Sequence, residues 1–140
     1  MKQTLTRPPS ACKPAAAGKA AAGALEAGAS LDAVRSVLTG FRGLPHRVEL
    51  VGDAGGVRWY DDSKATTPAS VVAAVSGFES AVLIAGGRNK GLDLTVLRGL
   101  APRLRGVVAI GEAADVVADV FGGATDVRRA GSMDAAEEVL

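Results

Sequence analysis

Short apolar segments alternate with helical patterns along the second half of the chain. Ala81 to Ala85 and Gly106 to Ile110 are apolar runs of strand length, typical of parallel strands buried on both faces. Val71 to Val75 and Glu112 to Phe121 instead show helical spacing. The alternation of strand and helix predicts an α/β fold: a Rossmann-like, mostly parallel sheet with helices on both faces.

Further helix boundaries are predicted from capping residues and from residues that break helices. Thr67 and Pro68 predict a helix start that Gly77 ends, and Ser132 opens a pattern that continues to Leu140. Two more elements are predicted, a helix over Asp93–Leu104 interrupted near Pro102 and a strand over Thr125–Ala130.

A β-hairpin is predicted to precede this sheet. Residues 47–51 alternate between polar and apolar side chains, and 57–61 follow after a glycine-rich loop. An antiparallel register that pairs Val51 with Val57 places Arg47 opposite Asp61. This register brings Arg47 to the sheet edge from which the polar loop beginning at Asp62 emerges.

The first third of the chain has a different character. Residues 1–25 contain three prolines and no acidic residue, which favours a disordered terminus. Alanine-rich sequence predicts helix over 15–39, broken at Gly28 and restarted at Ser30. Two glycines and a proline in residues 40–45 then predict a linker. We therefore expect an atypical N-terminus at 1–25, helices at 26–43 and a separate domain at 44–140, with the linker as their boundary.

Composition indicates the kind of core and limits the possible partners and sites. Hydrophobic residues make up 48% of the chain and aromatic residues only 4%, so the core is expected to be aliphatic. A net charge of +1 argues against nucleic acid as a partner. Cys12 and His46 are the only residues of their types, so we predict no disulfide and no metal site. No apolar run is long enough to cross a membrane, and we expect a cytoplasmic protein without a membrane partner.

Two polar loops carry the candidate chemistry. One contains Asp62, Lys64 and Thr66, and the other contains Lys90; each follows a predicted strand. Ligands of parallel sheets bind at the carboxyl ends of the strands, so a pair of lysines there predicts an anionic ligand. Ordinary solvated lysines are the alternative. Asp62 either braces its own loop or holds the hydroxyls of a ribose.

The sequence gives no support for a phosphate-binding Walker A loop or for catalysis by a histidine. The second loop, 86–91, is not a Walker A loop, and the pattern Gly, four residues, Gly-Lys-Ser/Thr occurs nowhere in the chain. An isolated histidine is more often structural than catalytic, so His46 is not assigned as a base. No catalytic residue is predicted.

Three motifs together resemble the Mur ligases, and within them the members that add D-glutamate. They are Phe-Arg-Gly-Leu-Pro-His-Arg at 41–47, Asp-Asp-Ser-Lys-Ala-Thr-Thr at 61–67 and Gly-Gly-Arg-Asn-Lys-Gly-Leu-Asp-Leu at 86–94. The resemblance covers roughly residues 28–140. It implies an ATP-dependent, amide-forming ligase that adds D-glutamate to UDP-N-acetylmuramoyl-L-alanine in peptidoglycan synthesis.

The resemblance also implies roles for individual residues. Arg47, Asp62 and His46 match nucleotide-binding positions, with Asp62 at the ribose. Lys64, Thr66 and Lys90 match positions that line the amino-acid end of the site. ATP and magnesium serve the full-length family, and the small-molecule substrates and the remaining ligase domains are the expected partners.

The chain departs from the family pattern at several points. Asp61 and Thr67 stand where the family commonly has Asn. The P-loop and the acidic residues that bind magnesium are not found in this sequence. We therefore expect a ligase fragment that is inactive alone. The alternatives are a non-catalytic α/β module that binds a nucleotide or an acidic metabolite, and the product of an interrupted gene.

Overall fold

One six-stranded sheet with helices on both faces organises the protein. The computed structural model describes residues 2–5, 14–41 and 43–139. The strands are β1 (Lys2–Leu5), β2 (Glu49–Ala54), β3 (Val57–Asp61), β4 (Ala81–Gly86), β5 (Leu104–Ile110) and β6 (Val127–Ala130). The helices are α1 (Pro14–Glu26), α2 (Leu31–Gly40), α3 (Pro68–Val75), α4 (Ala114–Phe121), α5 (Met133–Glu138) and a 3₁₀ helix (Thr95–Arg103).

The sheet is mixed. Its strand order is β2-β3-β1-β4-β5-β6, in which β4, β5 and β6 are parallel neighbours. The pairs β2 with β3, β3 with β1, and β1 with β4 are antiparallel. The predicted α/β class, the hairpin and the parallel strands are confirmed, and the parallel part comprises three strands.

The N-terminal segment contributes regular structure. Within 1–25, for which composition predicts disorder, Lys2–Leu5 forms β1 and Pro14 begins α1, while 6–13 lie outside the described residues. The hydroxyl of Ser30 accepts the N–H of Ala33, which confirms the predicted cap of α2. Helices α1 and α2 contact each other. The division into domains near Gly43 stays a prediction.

Both faces of the sheet are covered, because alternate side chains of the inner strands point in opposite directions. Leu83 and Val107 pack beneath α3, the 3₁₀ helix and α4, whereas Ile84 and Val108 pack with Ala136 of α5 on the other face. Apolar residues are therefore needed at consecutive strand positions, as the unbroken runs predict. No helix among the described residues is long and apolar enough to cross a bilayer.

The predicted hairpin exists, but its predicted register is wrong. Gly55 and Gly56 both have positive φ, 60° and 79°, and form a two-residue turn that pairs Ala54 with Val57. Glu49, not Arg47, therefore lies opposite Asp61. The register also shifts between Leu50 and Gly52, where β2 contains an irregularity.

The conformation before β2 explains why the strand starts late. His46 and Val48 have φ of 61° and 48°, values that an extended strand cannot accommodate. The first residue of β2 is consequently Glu49. Arg47 belongs to the turn that leads into the hairpin rather than to the sheet.

The predicted helix ends are largely confirmed. Thr67 caps α3 by accepting the N–H of Ser70 at 3.3 Å, and Pro68 is the first helical residue. The helix predicted near Asp93 begins at Thr95 and is of the 3₁₀ type. Pro102 has no N–H and disfavours an α-helix there. Ser132 caps α5, which ends at Glu138, and Leu140 lies outside the described residues.

Candidate functional site

Three loops leave the same edge of the sheet. Strand β1 is antiparallel to both β3 and β4, so β3 and β4 point the same way, and β5 is parallel to β4. The loops that follow Asp61, Gly86 and Ile110 therefore all begin at this edge. Open α/β sheets bind their ligands at this position.

A tight turn carries Arg47 to this edge. The N–H of Arg47 donates to the carbonyl oxygen of Leu44 at 3.2 Å, with Pro45 and His46 between them. Proline at the second position and a left-handed residue at the third are typical of a type II turn. The carbonyl oxygen of His46 then accepts the N–H of Lys64 at 3.3 Å. The turn is thus joined directly to the loop that follows β3.

Asp62 is the buried acid of the site. It is only 4% exposed, and its Oδ1 accepts the N–H of Val48 at 3.1 Å. Its Oδ2 is buried and has no hydrogen-bond partner among the described residues. Burial raises the pKa of the Asp62 carboxyl, against the opposing effects of the Val48 N–H and the Arg47 charge. An orphaned buried acceptor is costly, so a ligand hydroxyl would find a ready partner here.

The carboxylate of Asp61 contacts His46, whereas the predicted hairpin register placed Arg47 opposite Asp61. Its Oδ2 is 2.7 Å from Nδ1 of His46, and its Oδ1 accepts the N–H of Ser63 at 2.8 Å. Burial alone would raise the pKa of Asp61, but these hydrogen bonds and the His46 charge outweigh it and lower the pKa to about 2. The N–H of His46 donates to Oε2 of Glu49 at 2.8 Å. His46 therefore contacts two carboxylates.

Backbone contacts brace the loop that carries Lys90. The N–H of Gly87 donates to the carbonyl oxygen of Ile110 at 3.1 Å, and the N–H of Ala113 donates to the carbonyl oxygen of Gly87 at 2.8 Å. Asn89 shapes the loop from within, because its side chain bonds both the N–H and the carbonyl oxygen of Leu92. The loop after β5 thus supports the loop after β4.

The six residues assigned from the sequence all lie at this edge. They are His46, Arg47, Asp62, Lys64, Thr66 and Lys90. Hydrogen bonds tie the turn at 44–48 to the loop at 62–64. Across the part of the chain that the structure describes, no hydrogen bond joins the Lys64 loop to the Lys90 loop. Lys64, Thr66 and Lys90 are exposed and accessible to a ligand, and their binding roles stay predictions.

A groove on the face of the sheet that packs against α5 does not coincide with this site. It has a volume of about 500 Å³ and is lined by Trp59, Val82, Arg105 and Asp126, among others. It contains none of the residues assigned from the sequence.

Comparison with known proteins assigns the family. A protein from Geobacter metallireducens named UDP-N-acetylmuramoylalanine--D-glutamate ligase is 45% identical over 105 residues, covering 74% of this chain and 23% of that ligase. The equally named protein from Chlorobaculum tepidum is 42% identical over 110 residues, covering 77% and 24%. This chain therefore contains a Mur ligase-like region. The chain spans about a quarter of the length of the curated relatives it matches.

The similarity to Mur ligases rests on these relatives, because no family model matches the chain. The resemblance noted at the three motifs is confirmed by identities that extend well beyond them. Another relative of the same name, from Methylobacillus flagellatus, is 50% identical over 86 residues, which cover 60% of this chain and 19% of that protein.

Sequence reasoning missed several residues that shape this candidate site. Glu49 faces Asp61 across the hairpin, a pairing that depended on the hairpin register. Asn89 was not singled out, although asparagine side chains commonly bond nearby backbone groups in turns. Glu112 forms an ion pair with Arg88 at 3.5 Å, and both side chains are exposed.

We predict that Gly86→Ala strongly destabilises the protein. Gly86 has φ of 150°, and a Cβ there would lie 1.9 Å from the carbonyl oxygen of Ile110. Relieving that overlap requires β4 and the Ile110 turn to separate. We expect a loss of at least about 2 kcal/mol in the free energy of unfolding, measured by urea denaturation.

Gly106→Ala is the matched control. Gly106 also lies in the parallel sheet, but its φ is ordinary and a Cβ would meet only the Asp126 carbonyl oxygen at 3.6 Å. Its stability should change by less than about 1 kcal/mol. Equal stability losses in the two variants would contradict the close-approach argument.

Proposed function

We propose that this chain is the nucleotide- and D-glutamate-contacting part of an amide-forming ligase of peptidoglycan synthesis. The whole reaction would add D-glutamate to UDP-N-acetylmuramoyl-L-alanine in the cytoplasm. The names of the matched relatives support this assignment, as does the position of the three polar motifs at one edge of the sheet. The remaining ligase domains are the proposed macromolecular partners.

Asp62 is the observation that carries the nucleotide half of the proposal. Its Oδ2 is a buried acceptor without a donor among the described residues, at the edge where sheets of this class bind ligands. A ribose presents hydroxyl donors of the kind this oxygen lacks. Asp62 would accept a ribose hydroxyl through Oδ2 while Oδ1 remains bonded to the Val48 N–H.

Arg47 and His46 complete the proposed nucleotide contacts. Arg47 is exposed beside Asp62, and its guanidinium forms no ion pair with a described residue, so it can meet a ligand anion or aromatic ring. The turn at 44–47 holds both residues against the loop of Lys64. The type II turn therefore acts as the positioning element of this half of the site.

Lys64, Thr66 and Lys90 would contact the amino-acid substrate. D-glutamate carries two carboxylates, and each exposed ammonium group can bind one through charge-assisted hydrogen bonds. Thr66 adds a hydroxyl at the start of the segment that leads into α3. The arrangement therefore suits a small dicarboxylate better than a neutral amino acid.

ATP would supply the activation of the carboxylate that becomes the amide. This chain offers Asp62 and Arg47 for the nucleoside end, but its sequence contains no Walker A loop for the phosphates. Magnesium in the proposed ligase would likewise be held by acidic residues that the resemblance does not locate in this chain. The chain's own part is binding and orientation.

The 140-residue chain by itself should show no ligase activity. Stabilising the transferring phosphoryl group requires a phosphate cradle, which this sequence lacks. Incubation with ATP, magnesium, D-glutamate and UDP-N-acetylmuramoyl-L-alanine should release no phosphate above the blank. Steady turnover by rigorously purified protein would contradict the assignment of a partial site.

We predict that Asp62→Asn removes recognition of the ribose hydroxyls. The amide keeps an acceptor for the Val48 N–H but offers a donor where Oδ2 accepts. AMP should bind the wild-type chain about tenfold or more tighter than 2′,3′-dideoxy-AMP, and the variant should lose that difference. Titrations followed by backbone amide shifts would measure it.

Asp53→Asn provides the control on the same hairpin. Asp53 is exposed and pairs in the sheet with Arg58, away from the turn at 44–47. It should leave the preference for AMP unchanged. Equal binding of AMP and its dideoxy analogue by the wild-type chain would remove Asp62 from the nucleotide site.

We predict weak binding of D-glutamate that depends on Lys90. Exposed lysine contacts are screened by salt and water, so we expect millimolar affinity, of the order of −4 kcal/mol. Addition of D-glutamate should shift the amides of Thr66 and of the loop 86–91, and Lys90→Ala should abolish the response.

Two comparisons decide what this response means. Lys19→Ala removes an exposed lysine of α1 and should leave the shifts unchanged. If L-glutamate and chloride shift the same amides equally, the loops form only a patch of positive charge. The alternative function, a non-catalytic module that binds acidic metabolites, would then be favoured.

A further inference from the structure

We infer that His46, Glu49 and Asp61 form a binding site for a first-row divalent metal ion, with zinc as the preferred ion. The potential ligand atoms of these three side chains all lie within 4.8 Å of one another. The site goes beyond the proposed ligase function. It shares only His46 with the proposed nucleotide contacts.

The hairpin brings two carboxylates together. Glu49 and Asp61 are direct partners on β2 and β3, so their side chains leave neighbouring positions of the sheet. Like charges placed directly opposite each other repel. Among the described residues His46 contacts both of them, Glu49 through its backbone N–H and Asp61 through its imidazole. That single imidazole can neutralise at most one charge. A divalent cation would balance both carboxylates.

The three potential ligand atoms determine which class of metal ion the site would bind. One imidazole nitrogen and two carboxylate oxygens match zinc and its first-row neighbours, whereas magnesium and calcium prefer oxygen ligands alone. Tetrahedral coordination at about 2.0–2.2 Å needs donors roughly 3.5 Å apart. Side-chain rotations would have to widen the 2.7 Å contact between His46 and Asp61 and to shorten any spacing near the 4.8 Å limit. The His46 side chain is 52% exposed, so water can reach a fourth coordination position.

The present hydrogen bonds already orient the ligands. Nδ1 of His46 lies 2.7 Å from Oδ2 of Asp61, within hydrogen-bond distance. Oδ1 of the same carboxylate accepts the N–H of Ser63. A metal ion would bind between Nδ1 and the carboxylate, with the imidazole in the tautomer that carries its proton on Nε2. The left-handed turn fixes His46 at this position.

Asp61 supplies one of the two carboxylates, and an amide is a much poorer ligand for zinc than a carboxylate. Asp61→Asn therefore removes one ligand while keeping an oxygen that can accept the N–H of Ser63. Glu49→Gln is the equivalent change on β2, and neither variant alters His46.

Titration of the untagged 140-residue chain with zinc, in a buffer that does not bind metal, tests the inference. We expect one ion per chain and, with cobalt as the probe, absorption bands typical of low coordination number. Asp61→Asn and Glu49→Gln should each weaken binding by about tenfold or more. Asp53→Asn, an exposed acid on the same hairpin, should bind as the wild type does.

A second measurement localises the ion independently of the variants. Manganese should broaden the amide signals of residues 46–49 and 61–63 before those of other acidic regions such as Asp115. Equal affinity of wild type and Asp61→Asn, or broadening spread evenly over the acidic surface, would overturn the inference. AMP binding by Asp61→Asn, measured separately, distinguishes failure of the metal site from failure of the nucleotide site.

Discussion

The close approach of two backbones at the carboxyl edge of the sheet governs the geometry of the site. A side chain at position 86 would overlap the carbonyl oxygen of Ile110, so only glycine allows β4 to end against that turn. The neighbouring glycine bonds the same carbonyl oxygen, and the following loop bonds back to it. Because rigid backbone contacts fix its start, the loop can present Lys90 from a defined origin.

The other half of the site depends on a turn rather than on the sheet. Pro45 and the left-handed His46 fold the chain back so that its carbonyl oxygen meets the loop of Lys64. A non-glycine residue in this conformation carries some strain, which the surrounding contacts must offset. The 2.7 Å contact between Nδ1 of His46 and Oδ2 of Asp61 is one of those contacts. The contact with Asp61 therefore helps to hold His46 in its left-handed conformation.

The sequence predicted the parts of the fold that depend on local patterns. Unbroken apolar runs identified β4 and β5, and the side chains of Thr67 and Ser30 identified two helix starts. Strand β1 was not predicted, because a four-residue segment beside prolines carries no periodicity that could be read. The hairpin register failed because the conformations of Gly55 and Gly56 determine it, and hydrophobic alternation does not reveal backbone dihedrals. The candidate residues were found from loop position and motif, but the orphaned oxygen of Asp62 required coordinates.

The insertion of β1 between β3 and β4 sets the width of the site. Adjacent strands are spaced about 4.8 Å apart, so the ends of β3 and β4 lie roughly 10 Å apart across the intervening strand. The loops of Lys64 and Lys90 therefore rise on either side of a gap rather than side by side. In the proposed function, ammonium groups on the two sides of this gap would suit a molecule with an anionic group at each end. The strand order would thus set the length of the ligand that the proposed site accommodates.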